Sequence, residues 1–343
     1  MADRVRTVVI GYGYAGRNFH SYLIGLEPHL ELAGIVARRP EVAQRIAEER
    51  GCPVIPSVEA ALTDDSVELV VVATPNSTHA DLVVQALDAG KHVVTDKVMC
   101  LSLADCDRMI AAAQRAGRML SVFQNRRCDG DYRTVRALID SGELGDVRWL
   151  ELAWQGLRPW GGWRGQAEMG GGRYLDLGAH LVDQALLLFP ETVDSVYGRM
   201  DWAYPEFSVE SDAHLTIAFQ GGRTAIVDVS SMCAVSKPRW LVKGTQATYA
   251  KWGLDPQEAA MNAGDIDSAV VDPAQDGKVH DGRTERVVPT QPGRWRDYYQ
   301  NIAAVLLDGA EPLVKHAELR RQIAVLEAGR QSAMTGQAVH VGL

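Results

Sequence analysis

The chain has 343 residues, 46% hydrophobic and 23% charged, with a formal net charge of -9. That length suits two domains, each large enough for its own core. The acidic balance argues against a nucleic-acid surface, which needs a basic patch, and no run approaches the roughly 18 apolar residues of a membrane helix.

The opening "MADRVRTVVI" passes from charges straight into a short strand, so no signal peptide is expected. Strands are predicted at 7–10, 32–37, 53–55, 69–73, 92–95 and 119–123. Amphipathic helices at 79–89 and 102–116 lie between them, closed by Gly90 and Gly117 as C-caps. Near-continuous apolar strands joined by helices mean a parallel sheet covered on both faces. Residues 1–125 therefore read as a doubly wound, Rossmann-type α/β domain that binds a dinucleotide.

After a helix at about 130–141 the texture changes. Longer strands are expected at 147–155, 192–203, 213–219 and 223–231, with Gly221–Gly222 as a hairpin turn. One strong helix spans 174–189, and two more, about 295–308 and 316–334, close the chain. Residues 126–343 thus form a separate α+β domain on a large, mainly antiparallel sheet. Within it, 253–293 is rich in Asp, Gly and Pro and reads as a long loop-like excursion. Five cysteines (52, 100, 106, 128, 233) include no CxxC pair, and their odd number fits reduced thiols in a cytoplasm.

"VVIGYGYAG", 8 to 16, sets Gly11, Gly13 and Gly16 in GxGxxG spacing between a strand and a helix opening at about Ala15. In that context the glycines, with Tyr12 and Tyr14 between them, allow close approach to a pyrophosphate at the helix N-terminus. Without it, the same spacing is a glycine-rich turn. An NAD site would show an acid at the end of the second strand. Here stand Ala37, Arg38 and Arg39. An arginine fork grips a 2′-phosphate where a carboxylate would repel it, so NADP(H) is expected and NAD(H) remains possible. Arg38 is the first candidate and Arg39 the second; two solvated surface arginines are the alternative.

Ligands of such sheets sit beyond the carboxyl ends of the strands. Two ends are informative: "ATPNSTH" with Thr74, Pro75, Asn76 and His79, and "TDKV" with Asp96 and Lys97. A lysine there is expected to face the cofactor side, the alternative being a solvated ammonium. In "GGGRYLDLGAHLVDQALLLF", 170 to 189, Asp176, His180, Asp183 and Gln184 fall on one helical stripe. Asp176 and His180 stand i, i+4, so the carboxylate can orient the imidazole and favour its protonated form, unless the stripe simply faces water. No second histidine stands at ligand spacing, so no metal is expected.

The fold opening, "ATPNSTHADLVVQALDAGKHVVTDK", "NRR" at 125–127, "WR" at 163–164 and "DLGAHLVDQ" together resemble the glucose–fructose oxidoreductase/inositol dehydrogenase (Gfo/Idh/MocA) family over nearly the whole chain. "SVFQNRRCDGDY", "LDLGAHLVDQALLLF" and "VKGTQATYAKWGLDPQEA" are most similar to its NADP-dependent scyllo-inositol dehydrogenase branch. The resemblance implies an oxidoreductase exchanging a ring hydroxyl and a ketone on an inositol or sugar by hydride transfer. It implies Lys97, Asp176 and His180 as catalytic residues, with either Lys97 or His180 as the formal acid/base. It also implies that Asn125, Trp163 and Arg164 lie near the cofactor, and that Lys97, Asn125, Arg126, Asp176 and His180 meet the substrate. Homodimers or homotetramers through the second sheet are implied as well. The chain departs from the family's Glu-Lys-Pro at Asp96-Lys97-Val98. Another sugar or glycoside as substrate, or a dinucleotide-sensing regulator without catalysis, would use the same scaffold.

Overall fold

The computed structural model describes residues 4–235 and 237–343, which divide into two compact units. The first unit contains the chain up to Gln124 and also Trp295–Arg320; the second contains Asn125–Arg294 and Arg321–Leu343. The sequence suggests a single cut near 125. The chain instead returns to the first unit once before it ends.

The sheet of the first unit is built from β1 (Val5–Ile10), β2 (Leu30–Val36), β3 (Val54–Ile55), β4 (Leu69–Val72), β5 (His92–Thr95) and β6 (Leu120–Val122). Their order is β3-β2-β1-β4-β5-β6 and every neighbouring pair is parallel. Leu69, Val70, Val71 and Val72 are wholly buried, as a strand covered on both faces requires. The strand order reverses between β1 and β4, which places the ligand crevice beyond the carboxyl ends of those two strands. Five helices follow the strands: α1 (Ser21–Leu26), α2 (Pro40–Arg50), α3 (Val58–Leu62), α4 (His79–Asp88) and α5 (Leu103–Ala116). The Ser102 hydroxyl caps α5 by accepting the Asp105 N–H at 3.1 Å, and left-handed Gly117 (φ 62°) ends it.

The returning segment completes this unit's core. Trp295, Tyr298 and Tyr299 are buried, and the Tyr298 ring stands edge-on to Phe123 with centroids 4.9 Å apart. The Tyr298 hydroxyl shares a 2.9 Å hydrogen bond with the Ser121 hydroxyl on β6.

The second unit has a nine-stranded sheet: β7 (Val147–Gln155), β8 (Val193–Asp201), β9 (Asp212–Phe219), β10 (Thr224–Ser230), β11 (Trp240–Gly244), β12 (Thr248–Lys251), β13 (Gly277–His280), β14 (Glu285–Val288) and β15 (Val339–His340). The order is β14-β13-β12-β11-β7-β10-β9-β8-β15, antiparallel except at the β7–β10 pair. Burial alternates along β9, so one face meets the core. Gly221 and Gly222 both take φ 83° between β9 and β10, the conformation a tight hairpin needs.

Three helices of this unit matter for the site: α6 (Gly130–Asp140), α7 (Ala179–Leu188) and α8 (Gln257–Asn262). The 253–293 stretch is not a bare loop, because it carries α8, β13 and β14. Buried polar anchors hold it down: Asp255 accepts the Gly130 N–H at 2.7 Å, and a Cβ on Gly130 would lie 2.0 Å from the Gln291 carbonyl oxygen. The helix expected at 174–189 begins with a π-helical turn, Tyr174–Gly178, before α7. Ala15–His20 in the first unit is a π-turn too.

Candidate active site

The three glycines after β1 are there for different reasons. Gly11 has φ +101°, and a Cβ on it would lie 2.5 Å from the Ala73 carbonyl oxygen. A Cβ on Gly16 would lie 2.1 Å from the Gly11 carbonyl oxygen. Both are therefore needed by the turn itself. A Cβ on Gly13 would meet nothing within 4 Å. The protein leaves that space open, as a site for close approach of a pyrophosphate to the backbone must. Tyr12 points away into a buried contact, its hydroxyl donating to Glu49 at 2.8 Å, so it can offer a ligand only its backbone. Burial first, then the Glu49 hydrogen bond, push its pKa up to about 12. Tyr14 is exposed, edge-on to Phe19, and Ala15 opens the π-turn.

A cavity of about 480 Å³ lies beyond β1 and β4, with Gly11, Arg38, Thr74 and Pro75 among its walls. Arg38 is thus on the cavity wall, at the position where an NAD enzyme would carry its acid. Arg39 is not on that wall; it is largely exposed with Glu41 at 3.6 Å. The open glycine turn and the cavity beside it fit a dinucleotide.

At the ends of β4 and β5, His79 corrects an expectation. It is completely buried, with Nδ1 2.9 Å from the Val98 carbonyl oxygen and Nε2 2.9 Å from that of Thr74. Its side chain ties together the segments that follow two strands and is enclosed by protein. Asn76 is likewise buried. Asp96 Oδ1 accepts the Lys97 N–H at 2.8 Å. Burial works against the Asp96 charge, but His20, Lys97 and His79 outweigh it and hold the carboxyl below its ordinary range. The Lys97–Val98 peptide is cis. Val98 and Met99 are wholly buried while Lys97 is only half-buried, so the lysine is not packed in the core.

In the second unit the polar stripe divides. Asp183 accepts from Arg127 Nε at 2.8 Å and its second nitrogen at 2.7 Å, with both side chains buried. Gln184 donates to the Arg126 carbonyl at 2.8 Å and accepts from Arg239 at 2.6 Å. These two residues hold the Asn125–Cys128 turn in place and are not exposed chemistry.

Asp176, on the π-turn, has Arg164 Nε 3.4 Å from its Oδ2, and Arg164 stacks on Trp163 at 4.7 Å. His180 is buried on α7 with its ring stacked against Trp154 at 6.3 Å. Arg126 lies over the same indole at 4.8 Å and donates to Glu258 at 2.5 Å. Asn125, Arg126, Trp163, Arg164, Asp176 and His180 belong to the second unit, where Arg164 meets Asp176 and Trp154 meets both Arg126 and His180, while Lys97, the glycines and Arg38 belong to the first. Trp154 and Glu258 escape the sequence reading. Trp154 looks like one more apolar residue of a strand, and Glu258 sits inside the expected loop. Among the described residues no cluster of His, Cys, Asp or Glu could hold a metal ion, and no helix is long and apolar enough to cross a membrane.

Comparison with known proteins agrees with this geometry. Residues 5–124 match the family model described as an oxidoreductase family with an NAD-binding Rossmann fold, GFO_IDH_MocA, and residues 132–250 match the GFO/IDH/MocA C-terminal domain. The chain belongs to the Gfo/Idh/MocA oxidoreductase family. It is 33% identical to the uncharacterized oxidoreductase YdgJ of Escherichia coli over 97% of each chain. It is 31% identical to the scyllo-inositol 2-dehydrogenase (NADP(+)) IolW of Bacillus subtilis, over 96% of this chain and 94% of that one. Among solved structures, an NAD-binding protein from Listeria innocua is 29% identical with a TM-score of 0.86, covering 98% of this chain and 97% of that one. As a Gfo/Idh/MocA oxidoreductase, the protein carries an NAD(P)-binding Rossmann domain and a second domain of the family type.

Proposed function

We propose that this protein is an NADP(H)-dependent dehydrogenase or reductase that interconverts a secondary ring hydroxyl and a ketone on an inositol or a related sugar. The observation that carries the proposal is Lys97: it follows a buried parallel strand, is followed by two wholly buried residues, and is itself left half-buried. A charged amine in that position serves a ligand better than it serves packing. The similarity to IolW supports the polyol, and Arg38 on the cavity wall supports the 2′-phosphate.

Gly11–Gly16 and Arg38 would hold the dinucleotide, whose nicotinamide supplies or takes the hydride. In the oxidation direction Lys97 hydrogen-bonds the reacting oxygen and stabilises its growing negative charge. His180, held against Trp154 and associated in this scheme with the Asp176 carboxylate, takes the hydroxyl proton as the carbon gives up its hydride. In reduction the same groups return the proton. Arg126 and Asn125 are assigned to the ring's other hydroxyls.

The test is a panel of inositols and aldoses offered with NADP⁺ and with NAD⁺, followed at the nicotinamide absorbance. Oxidation of an inositol, faster with NADP⁺, is the expected result. If no polyol on the panel is oxidised while NADPH still binds tightly, the substrate assignment fails.

A further inference from the structure

We propose that His20 is a positioning residue for Lys97, acting through Asp96, and that Tyr299 sets its tautomer. This rests on the assignment of Lys97 to the reacting oxygen. His20 ends the π-turn that follows the glycines; the Ser21 N–H bonds to the Gly16 carbonyl five residues back, so the turn holds one residue more than an α turn. The residue is wholly buried against the rings of Phe123 and Tyr299, where a phenylalanine would pack more easily than an imidazole. The imidazole's polar atoms are placed with purpose.

His20 Nδ1 lies 2.7 Å from the Tyr299 hydroxyl. Tyr299 is buried, and burial, with Tyr298 and Asp96 nearby, keeps its phenolic proton in place. With that hydroxyl as donor, Nδ1 accepts and the proton of a neutral ring sits on Nε2. That nitrogen is buried, makes no hydrogen bond of ordinary length among the described residues, and lies 3.7 Å from Asp96 Oδ1. The same Oδ1 accepts the Lys97 N–H at 2.8 Å. A line of polar contacts thus runs from the Tyr299 hydroxyl through His20 to Asp96 and the Lys97 backbone, its His20–Asp96 link an electrostatic contact at 3.7 Å. On the other flank His79 holds the Val98 carbonyl. The residues before and after the lysine are each governed by a buried histidine. The titratable and charged groups facing His20 are Asp96, Tyr299, His79 and, through Asp96, Lys97.

The imidazole N–H draws off part of the Asp96 charge, so its loss leaves Lys97 under a stronger negative field. His20→Phe keeps the ring and removes both nitrogens. His20→Gln restores a donor near Nε2, and Tyr299→Phe removes only the hydroxyl. Expected for His20→Phe is a kcat lowered roughly 10- to 100-fold, the cost of a displaced catalytic group. KM for NADP⁺ should stay within about threefold, since the change reaches the cofactor only indirectly. The basic limb of the kcat/KM profile should move to higher pH. His20→Gln should recover most of the rate, and Tyr299→Phe should fall between. If His20→Phe turns over at the wild-type rate with an unmoved profile while Lys97→Met is impaired, the positioning role is overturned. If Lys97→Met is itself unimpaired, the underlying assignment of Lys97 falls instead. Should His20→Phe fail to fold, wild-type rates and profiles in both His20→Gln and Tyr299→Phe, beside an impaired Lys97→Met, would also overturn the positioning role.

Discussion

Arg164 Nε stands 3.4 Å from Asp176 Oδ2, so the carboxylate that the sequence pairs with His180 also faces a guanidinium. The guanidinium holds the carboxylate in place through an ion pair that does not depend on the histidine. Asp176→Asn is expected to lower kcat by about two powers of ten or more while NADPH binding holds, with His180→Ala at least as severe. A His180→Ala enzyme that turns over at the wild-type rate across the pH range would remove the histidine from the reaction.

Gly13 and Gly11 separate ligand binding from folding. Among the described residues, a methyl group at Gly13 meets no atom within 4 Å beyond its chain neighbours, whereas one at Gly11 runs into the Ala73 carbonyl. Gly13→Ala should keep its unfolding free energy within about 0.5 kcal/mol of wild type yet lose affinity for NADPH. Gly11→Ala should lose thermal stability outright. Tight NADPH binding by Gly13→Ala would show that the open space is not where the dinucleotide lies.

Under the proposed function, Arg38 is the residue that selects the cofactor. Arg38→Ala should lose a charge-assisted contact of about 1.5–3 kcal/mol, roughly 10- to 100-fold in NADPH affinity. NADH binding should barely change, and Arg39→Ala should have a smaller effect because Arg39 is off the cavity wall. Equal wild-type affinities for NADH and NADPH, measured by nicotinamide fluorescence, would refute the assignment.

Lys97→Met keeps most of the stem and removes the charge and donors. The loss should appear in kcat, by about two to four powers of ten. NADPH binding without substrate should shift much less. Normal turnover with tenfold weaker NADPH binding would make Lys97 a cofactor anchor.

The Arg127–Asp183 pair is a matter of stability. Both side chains are buried, so Asp183→Ala strands a guanidinium at a cost of about 3–5 kcal/mol. Urea unfolding should show it. Joint replacement by apolar residues of similar volume should recover much of the loss, which a directly catalytic Asp183 would not permit for activity.

The first unit was legible because its strands are short apolar runs and its glycines punctuate them. Val70–Val72 and Gly117 can each be placed from local pattern alone. The π-turns were not legible, since an extra residue in a turn leaves no local mark between Ala15 and His20 or between Tyr174 and Gly178. The polar stripe on α7 showed which residues share a face. It could not show that Asp183 and Gln184 meet buried arginines brought from distant parts of the chain. The burial of His79 was hidden for the same reason: the two carbonyls its ring lies against follow separate strands. Arg38 and Arg39 differ only in direction, which composition does not record.

The return of Trp295–Arg320 to the first unit has a consequence for anyone who would move its cofactor preference elsewhere. A fragment ending at Gln124 would leave Phe19, Phe123 and His20 without the rings of Trp295, Tyr298 and Tyr299 that close over them. The nucleotide-binding module is therefore discontinuous in the gene. A graft or chimera of it must carry two separate stretches of chain, and a single crossover near the boundary would yield a half-module with a greasy open side.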